Sequence, residues 1–297
     1  MSVRLTAPLR PPHVPGLLAL SASLATLASA CSRGESRPAH DGSARDSAAS
    51  AARARAAVPG DVTLPGLAPS RPAYVVRPAA AGRITGTVQL DGPAPPDTTV
   101  APSPDDVRTC GRSLTLPTAA TKNGGVEGAV VWLVGVGAGK AFPEVRRTEL
   151  ALTGCQLEPH IVAAVAGGAL NVHGVDALDA RLRFTRVEGG AADAPPGTVL
   201  LRVTTTDAGQ VVPSERVVGA PGTVEVRGEL QPWLRAWVLA FDQPYFATTD
   251  ATGAFVLDGV PPGTYQLVAW HDRLGRSVQS VTVGQGQQVG VSVRLGR

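Results

Sequence analysis

Three histidines stand beyond the first sixty residues: His160, His173 and His271. None falls in a His-x-His or His-Glu-x-x-His spacing, the patterns that aim two imidazoles at one metal. Two thiols follow Cys31, namely Cys110 and Cys155. In an exported chain such a pair reads as a disulfide. The alternative is a Cys/His metal site with His160, for which four closely spaced ligands are lacking. His160, beside Cys155 and Pro159, reads as structural, and His271-Asp272 as the end of a strand. His173 and Asp176 could share a loop, a makeshift metal site that no spacing supports. Asp105-Asp106 lies in a Pro/Ser-rich loop, and Asp176 and Asp179 sit three apart without a helical period, so neither pair reads as acid and base. No Gly-x-Ser-x-Gly elbow, phosphate-binding glycine loop or dinucleotide turn occurs. No nucleophile and base converge, so the chain is expected to be no enzyme and to carry no cofactor.

The elements that must position these residues are strands. The 297 residues include 34 glycines and 26 prolines, with aromatics at 4%, a mixture that favours short strands and many turns over helical bundles. Apolar and polar side chains alternate from Arg83 to Leu90. Further strands are read at 126–136, 199–205, 223–227, 234–241, 254–257, 264–270, 277–283 and 289–295. Asp250 to Gly253 has hairpin-turn chemistry, and Val260 to Gly263 is a proline-led turn. The expected class is all-β, as two antiparallel β-sandwiches after a disordered N-terminal tether.

Arg4 and Arg10 precede an apolar run from Gly16 to Leu27 that ends in Ala28-Ser29-Ala30-Cys31. A positive start, a short apolar stretch and an A-x-A site make residues 1–30 a secretory signal. Cys31 resembles the lipidated cysteine of bacterial lipoproteins, although Ala28 stands where that pattern prefers leucine. Residues 31–82 read as a tether too poor in apolar side chains to order itself. The implied place is periplasmic or cell-surface, with membrane contact only through a lipid on Cys31. Residues 1–60 hold seven arginines against three acids, whereas 61–297 hold 20 basic against 21 acidic residues. The folded part therefore lacks the basic balance of a nucleic-acid binder.

Several stretches resemble exported bacterial proteins with a plastocyanin-like (cupredoxin) domain followed by a carboxypeptidase-regulatory-like domain of transthyretin-like topology. They are Thr109-Cys110-Gly111, Gly128 to Trp132, Cys155 to His160, Pro232 to Trp237, Asp242 to Asp250, Gly253 to Phe255, Val260 to Tyr265, and Ala269 to His271. The resemblance implies a cupredoxin-like sandwich over 83–236 and a smaller sandwich over 237–297. Copper-binding members use two imidazoles, a thiolate and a thioether. Laid on this chain those ligands fall at Ala180, Gly228, Gln231 and Leu234, none of which can bind type-1 copper. Domains of the second kind are also similar to carbohydrate-binding accessory modules, in which exposed aromatics stack on sugars. Trp233, Trp237, Tyr245 and Phe246 cluster at the proposed junction as a possible ligand platform, with junction packing as the other reading. The functional expectation is a non-catalytic envelope scaffold or binding lipoprotein whose partner is a protein or a glycan. The alternatives are a carbohydrate-binding module and a periplasmic metal-binding or electron-transfer protein.

Overall fold

The computed structural model describes residues 64–67, 73–77, 81–119, 121–189 and 196–296. The expected signal segment, Cys31 and the first half of the expected tether lie outside the described residues.

Four sheets carry the fold. Sheet I orders β10 (Gln156–Glu158), β9 (Arg147–Thr153), β12 (Ala169–Gly174) and β15 (Gln210–Pro213). Sheet II orders β11 (Ile161–Val165), β17 (Arg235–Phe241), β16 (Gly222–Gly228), β13 (Ala180–Gly189) and β14 (Val199–Thr205). Sheet III orders β18 (Phe246–Thr248), β7 (Val130–Val134), β20 (Gly263–His271) and β21 (Gly275–Val283). Sheet IV orders β19 (Ala254–Val260), β2 (Gly82–Leu90), β6 (Gly125–Val126) and β5 (Thr121–Lys122), with β22 (Gln288–Leu295) also on β2. Two small pairs, β1 (Val75–Val76) with β8 (Ala138–Gly139) and β3 (Thr98–Val100) with β4 (Leu114–Leu116), flank them, as does one helical turn, α1 (Val107–Cys110). The all-β expectation holds.

Side-chain alternation sets the layering. On β17, Ala236, Val238 and Ala240 face a core shared with Leu150, Leu152, Leu170 and Val172 of sheet I. The alternate residues Trp237, Leu239 and Phe241 face Val130, Trp132, Val268 and Trp270 of sheet III. On β7 and β20, Val131, Leu133, Leu267 and Ala269 point the other way, onto Ile84, Val88, Phe255 and Leu257 of sheet IV. The sheets thus stack I, II, III, IV around three cores. Strands buried on both faces need apolar residues at every position, which explains the unbroken runs at 130–133 and 236–241.

Three expectations need correction. First, the boundary at 236/237 does not separate the sheets. β2, β6 and β7 lie in sheets III and IV with β18 to β22, while β17 pairs with β11 and β16 in sheet II. The middle sandwich, β9 to β17, is inserted between β7 and β18 of the other. The physical reason is size: about 60 residues make only a marginal core of their own, and β2, β6 and β7 supply further faces. Second, antiparallel pairing predominates as expected but is not universal, because β9–β12, β11–β17 and β2–β22 run parallel. Third, the span to residue 82 contains packed segments. Leu67 is buried between sheets II and III, and the Gly66 and Leu67 amides donate to the Glu188 carboxylate. Tyr74 donates to the Lys140 carbonyl at 2.6 Å, and β1 pairs with β8. Leucine and tyrosine supply there the apolar area that the rest of that span lacks.

The turn at Asp250 keeps its chemistry but changes its job. One Asp250 oxygen accepts from Thr252 N, Thr252 Oγ1 and Ala254 N at 2.7–3.0 Å, and Gly253 takes φ +79°. The turn carries the chain from sheet III to sheet IV instead of closing a hairpin.

Candidate functional site

The four positions aligned with copper ligands come together at one end of sheet II. Ala180 opens β13, Gly228 closes β16, Gln231 sits in the following turn and Leu234 precedes β17. Gly228 N donates to Leu234 O at 2.9 Å and Leu234 N to Gln231 O at 3.1 Å. A Cβ added at Gly228 would lie 2.4 Å from Gln231 O, so no thiolate fits there without moving backbone. Ala180 and Leu234 are buried in the core between sheets I and II. The buried Gln231 amide donates from Nε2 to Asp106 Oδ1 at 3.1 Å and to the Asp179 carbonyl at 3.0 Å. Ser103 Oγ donates in turn to Asp106 Oδ2 at 2.7 Å.

A cross-linked lid closes this end. The Cys110–Cys155 disulfide joins α1 to the β9–β10 turn, with Cα atoms 5.6 Å apart. Thr109 Oγ1 donates to Ala177 O, Cys155 N to Asp176 Oδ2 and Trp233 Nε1 to Cys155 O. The donor set here is amide, carboxylate and carbonyl, not thiolate and imidazole, and it does not fit a type-1 copper ion.

The four aromatics do not form one platform. Trp237 is 2% exposed and Tyr245 fully buried, so neither can present a ring to a sugar. Trp237 meets Trp270 edge-on at 5.6 Å, and Phe246 stacks on Phe241 at 4.4 Å. The Tyr245 hydroxyl accepts from Lys140 N and donates to Gly259 O. Trp233, half-buried, packs on the core between sheets I and II. Layer stacking gives these rings more apolar contact than a solvent-facing platform could.

The histidines disperse as well. His173 pairs with Glu149 on the outer face of sheet I, while Asp176 is engaged at Cys155. His160 and His271 meet at a centre that the sequence did not single out, Asp272. This carboxylate is 0% exposed. His160 Nε2 lies 3.0 Å and the Trp237 indole nitrogen 3.2 Å from its Oδ2. Arg273 Nε lies 3.4 Å from Oδ2 and His271 Nδ1 3.5 Å from Oδ1. Among the described residues no group of three or more His, Cys, Asp or Glu is placed to hold a metal.

Burial pushes the Asp272 carboxyl up. The hydrogen bond from His160 and the surrounding positive charge outweigh that and hold it well below the usual carboxylate range. Burial drives His271 the other way, down to about 4, so it stays neutral at pH 7. Both shifts favour the folded state at neutral pH and fade in acid. His271 contributes fully above the ordinary histidine value near 6.5, and its share falls as pH drops toward 4; the Asp272 share falls below that. We expect the unfolding free energy to decrease by about 3 kcal/mol between pH 7 and pH 4 from His271 alone. Urea titrations at the two pH values test this. His271→Gln should flatten the dependence, and an unchanged slope in that variant would refute the assignment.

Residues 198–296 match the carboxypeptidase regulatory-like domain. That carboxypeptidase regulatory-like stretch takes in β14 to β22, so it draws strands from all four sheets, β15 of sheet I included. Asp272, Trp237 and Trp270 all lie within it. No curated protein matches the chain in sequence. Among solved structures, the Bacillus anthracis TIE protein aligns with 73% of this chain at 8% identity and a TM-score of 0.17. The alignment spans 51% of that protein's own length.

Proposed function

We propose that the chain is a non-catalytic binding or scaffold lipoprotein of the cell envelope, exported and held by a lipid on Cys31. In this reading its middle sandwich is a degenerate cupredoxin domain that does not bind type-1 copper. The observation that carries the reading is the Gln231 amide, bonded to Asp106 and the Asp179 carbonyl where a copper ligand would stand. The tight approach of Gly228 to Gln231 O supports it, as does the carboxypeptidase regulatory-like match, a fold-level warrant. A stack of sheets sharing three cores suits a rigid spacer better than a catalyst that must open and close.

Adding copper to the purified protein is expected to produce no intense blue absorption and no rise in melting temperature. A tight 1:1 copper complex with that band would overturn the reading. Metabolic labelling with a fatty acid is expected to mark the wild-type chain and to leave Cys31→Ser unmarked. A labelled Cys31→Ser would remove the anchor from the proposal.

A further inference from the structure

Sheet II offers only part of its outer face to sheet III. β11 and β17 are covered by the aromatic core between the sheets, whereas β16, β13 and β14 extend past it. Across that shelf the strand register sets arginines side by side. Arg202 on β14 is paired with Arg183 on β13, Arg183 with Arg227 on β16, and Arg227 with Arg235 on β17. At a strand spacing of about 4.8 Å, four guanidinium stems stand in a row roughly 14 Å long. Side-chain exposure falls along it: 60% at Arg202, 42% at Arg183, 28% at Arg227 and 11% at Arg235. The row thus runs from the open edge of sheet II into the step formed by sheet III.

Two acids face these four cations. Glu229 meets Arg202 at 3.1 Å and Arg183 at 4.0 Å, and Glu225 meets Arg227 and Arg235 at 2.9 Å each. The row keeps two uncompensated positive charges. Nε of Arg183 and of Arg235 is buried without a hydrogen-bond partner. Arg181, exposed two residues along β13, adds a further cation to the same face. Arg235 is propped over the Trp237 ring at 4.9 Å. Like charges directly opposite each other in a sheet destabilise it, and the two glutamates offset that cost only in part.

We propose that the arginine row is a binding track for one extended acidic polysaccharide chain that carries carboxylates on successive sugars. Planar guanidinium forks accept carboxylates in bidentate fashion, and an array one strand apart meets a repeating anion better than a single one. The step excludes a flat bilayer, which could touch Arg202 and Arg183 but not the inner pair. The slight net negative charge of residues 61–297 bears equally on a nucleic-acid backbone and on an acidic polysaccharide, so the bases have to separate the two. Single-strand binders also stack bases on exposed aromatics, and the ring beside this row, Trp237, is buried. The proposal gives the envelope scaffold a partner of stated chemistry. Copper and lipid-labelling results leave it untouched, so the two readings fail separately.

The test uses the full-length protein with polygalacturonate as probe, measured by calorimetry at low and high salt. Binding is expected at low salt, weakened by added salt, with a rise in melting temperature of the wild type. Arg183→Gln/Arg202→Gln is expected to bind at least about tenfold more weakly, since each charged contact is worth about that factor. The same double variant, free of ligand, is expected to melt close to wild type, because relief of like-charge contact offsets the loss of the two part-exposed pairs with Glu229. Arg147→Gln, on sheet I, is expected to bind normally. Absence of binding, an unaffected double variant, equal binding of neutral dextran, or tighter binding of single-stranded DNA or anionic vesicles would each overturn the proposal. A large fall in the melting temperature of the double variant would do the same by making the row structural.

Discussion

Asp272→Ala is expected to lower the unfolding free energy by about 3–5 kcal/mol, the usual cost of breaking a buried charge cluster from one side. The melting temperature should drop by roughly 10 °C or more for a folded part of this size. The carboxylate is wholly buried where sheet III meets sheet II, and it holds His160 and Trp237 from sheet II's side of the junction. His160 is partly exposed and can turn to water, but the buried Trp237 N–H cannot. Arg273 also loses its partner. Asp272→Asn keeps an acceptor for both donors and loses only the charge, so it should fall between alanine and wild type. Urea unfolding followed by tryptophan fluorescence reads this directly, because Trp237 and Trp270 touch at the same junction. A loss below about 1 kcal/mol for alanine, the range of an exposed pair, would mean that the carboxylate does not fasten the two sandwiches.

Replacing both Cys110 and Cys155 with serine is the second large effect. The disulfide spans 45 residues of sequence, and closing such a loop in the unfolded chain stabilises by about 4 kcal/mol on the chain-entropy account. Denaturant midpoints should fall to the same value in the double variant and in reduced wild type, and reductant should have no further effect on the variant. The cross-link also holds the 103–110 segment over Gln231, so the protection of the Gln231 side-chain amide against hydrogen exchange should fall with it. Full stability in the variant would show that Asp106, Ser103 and Thr109 close that end without covalent help.

Much of the molecule was legible one strand at a time. Alternation from Arg83 to Leu90 and over the strands at 254–257, 277–283 and 289–295 marks elements with one face on a core. The five strands between 147 and 189 were not read. Yet Ala180, Leu182 and Phe184 alternate with Arg181, Arg183 and Thr185, a period-2 signal with arginine as the polar partner. The same period sets Arg183 and the neighbouring Arg181 on one face. The unbroken apolar runs at 130–133 and 236–241 could have told the number of layers, because only a strand covered on both sides needs them. The aromatics at the junction were legible as a cluster but not as buried or exposed, since that depends on whether another sheet lies over them.

The sequence by itself determined the all-β class and the cysteine pairing, because each rests on local chemistry or on which side chains exist at all. Tertiary structure alone decided the neighbours. Strand order put β2 beside β19 and β22, inserted one sandwich into the other, buried Trp237 and Tyr245, and brought His160 and Trp237 onto Asp272. Register alone aligned Arg202, Arg183, Arg227 and Arg235, residues that lie up to 52 positions apart in the chain. The physical reason is that a strand's own pattern fixes which face is apolar. Its partner and its offset are set by the cores that the whole chain can close.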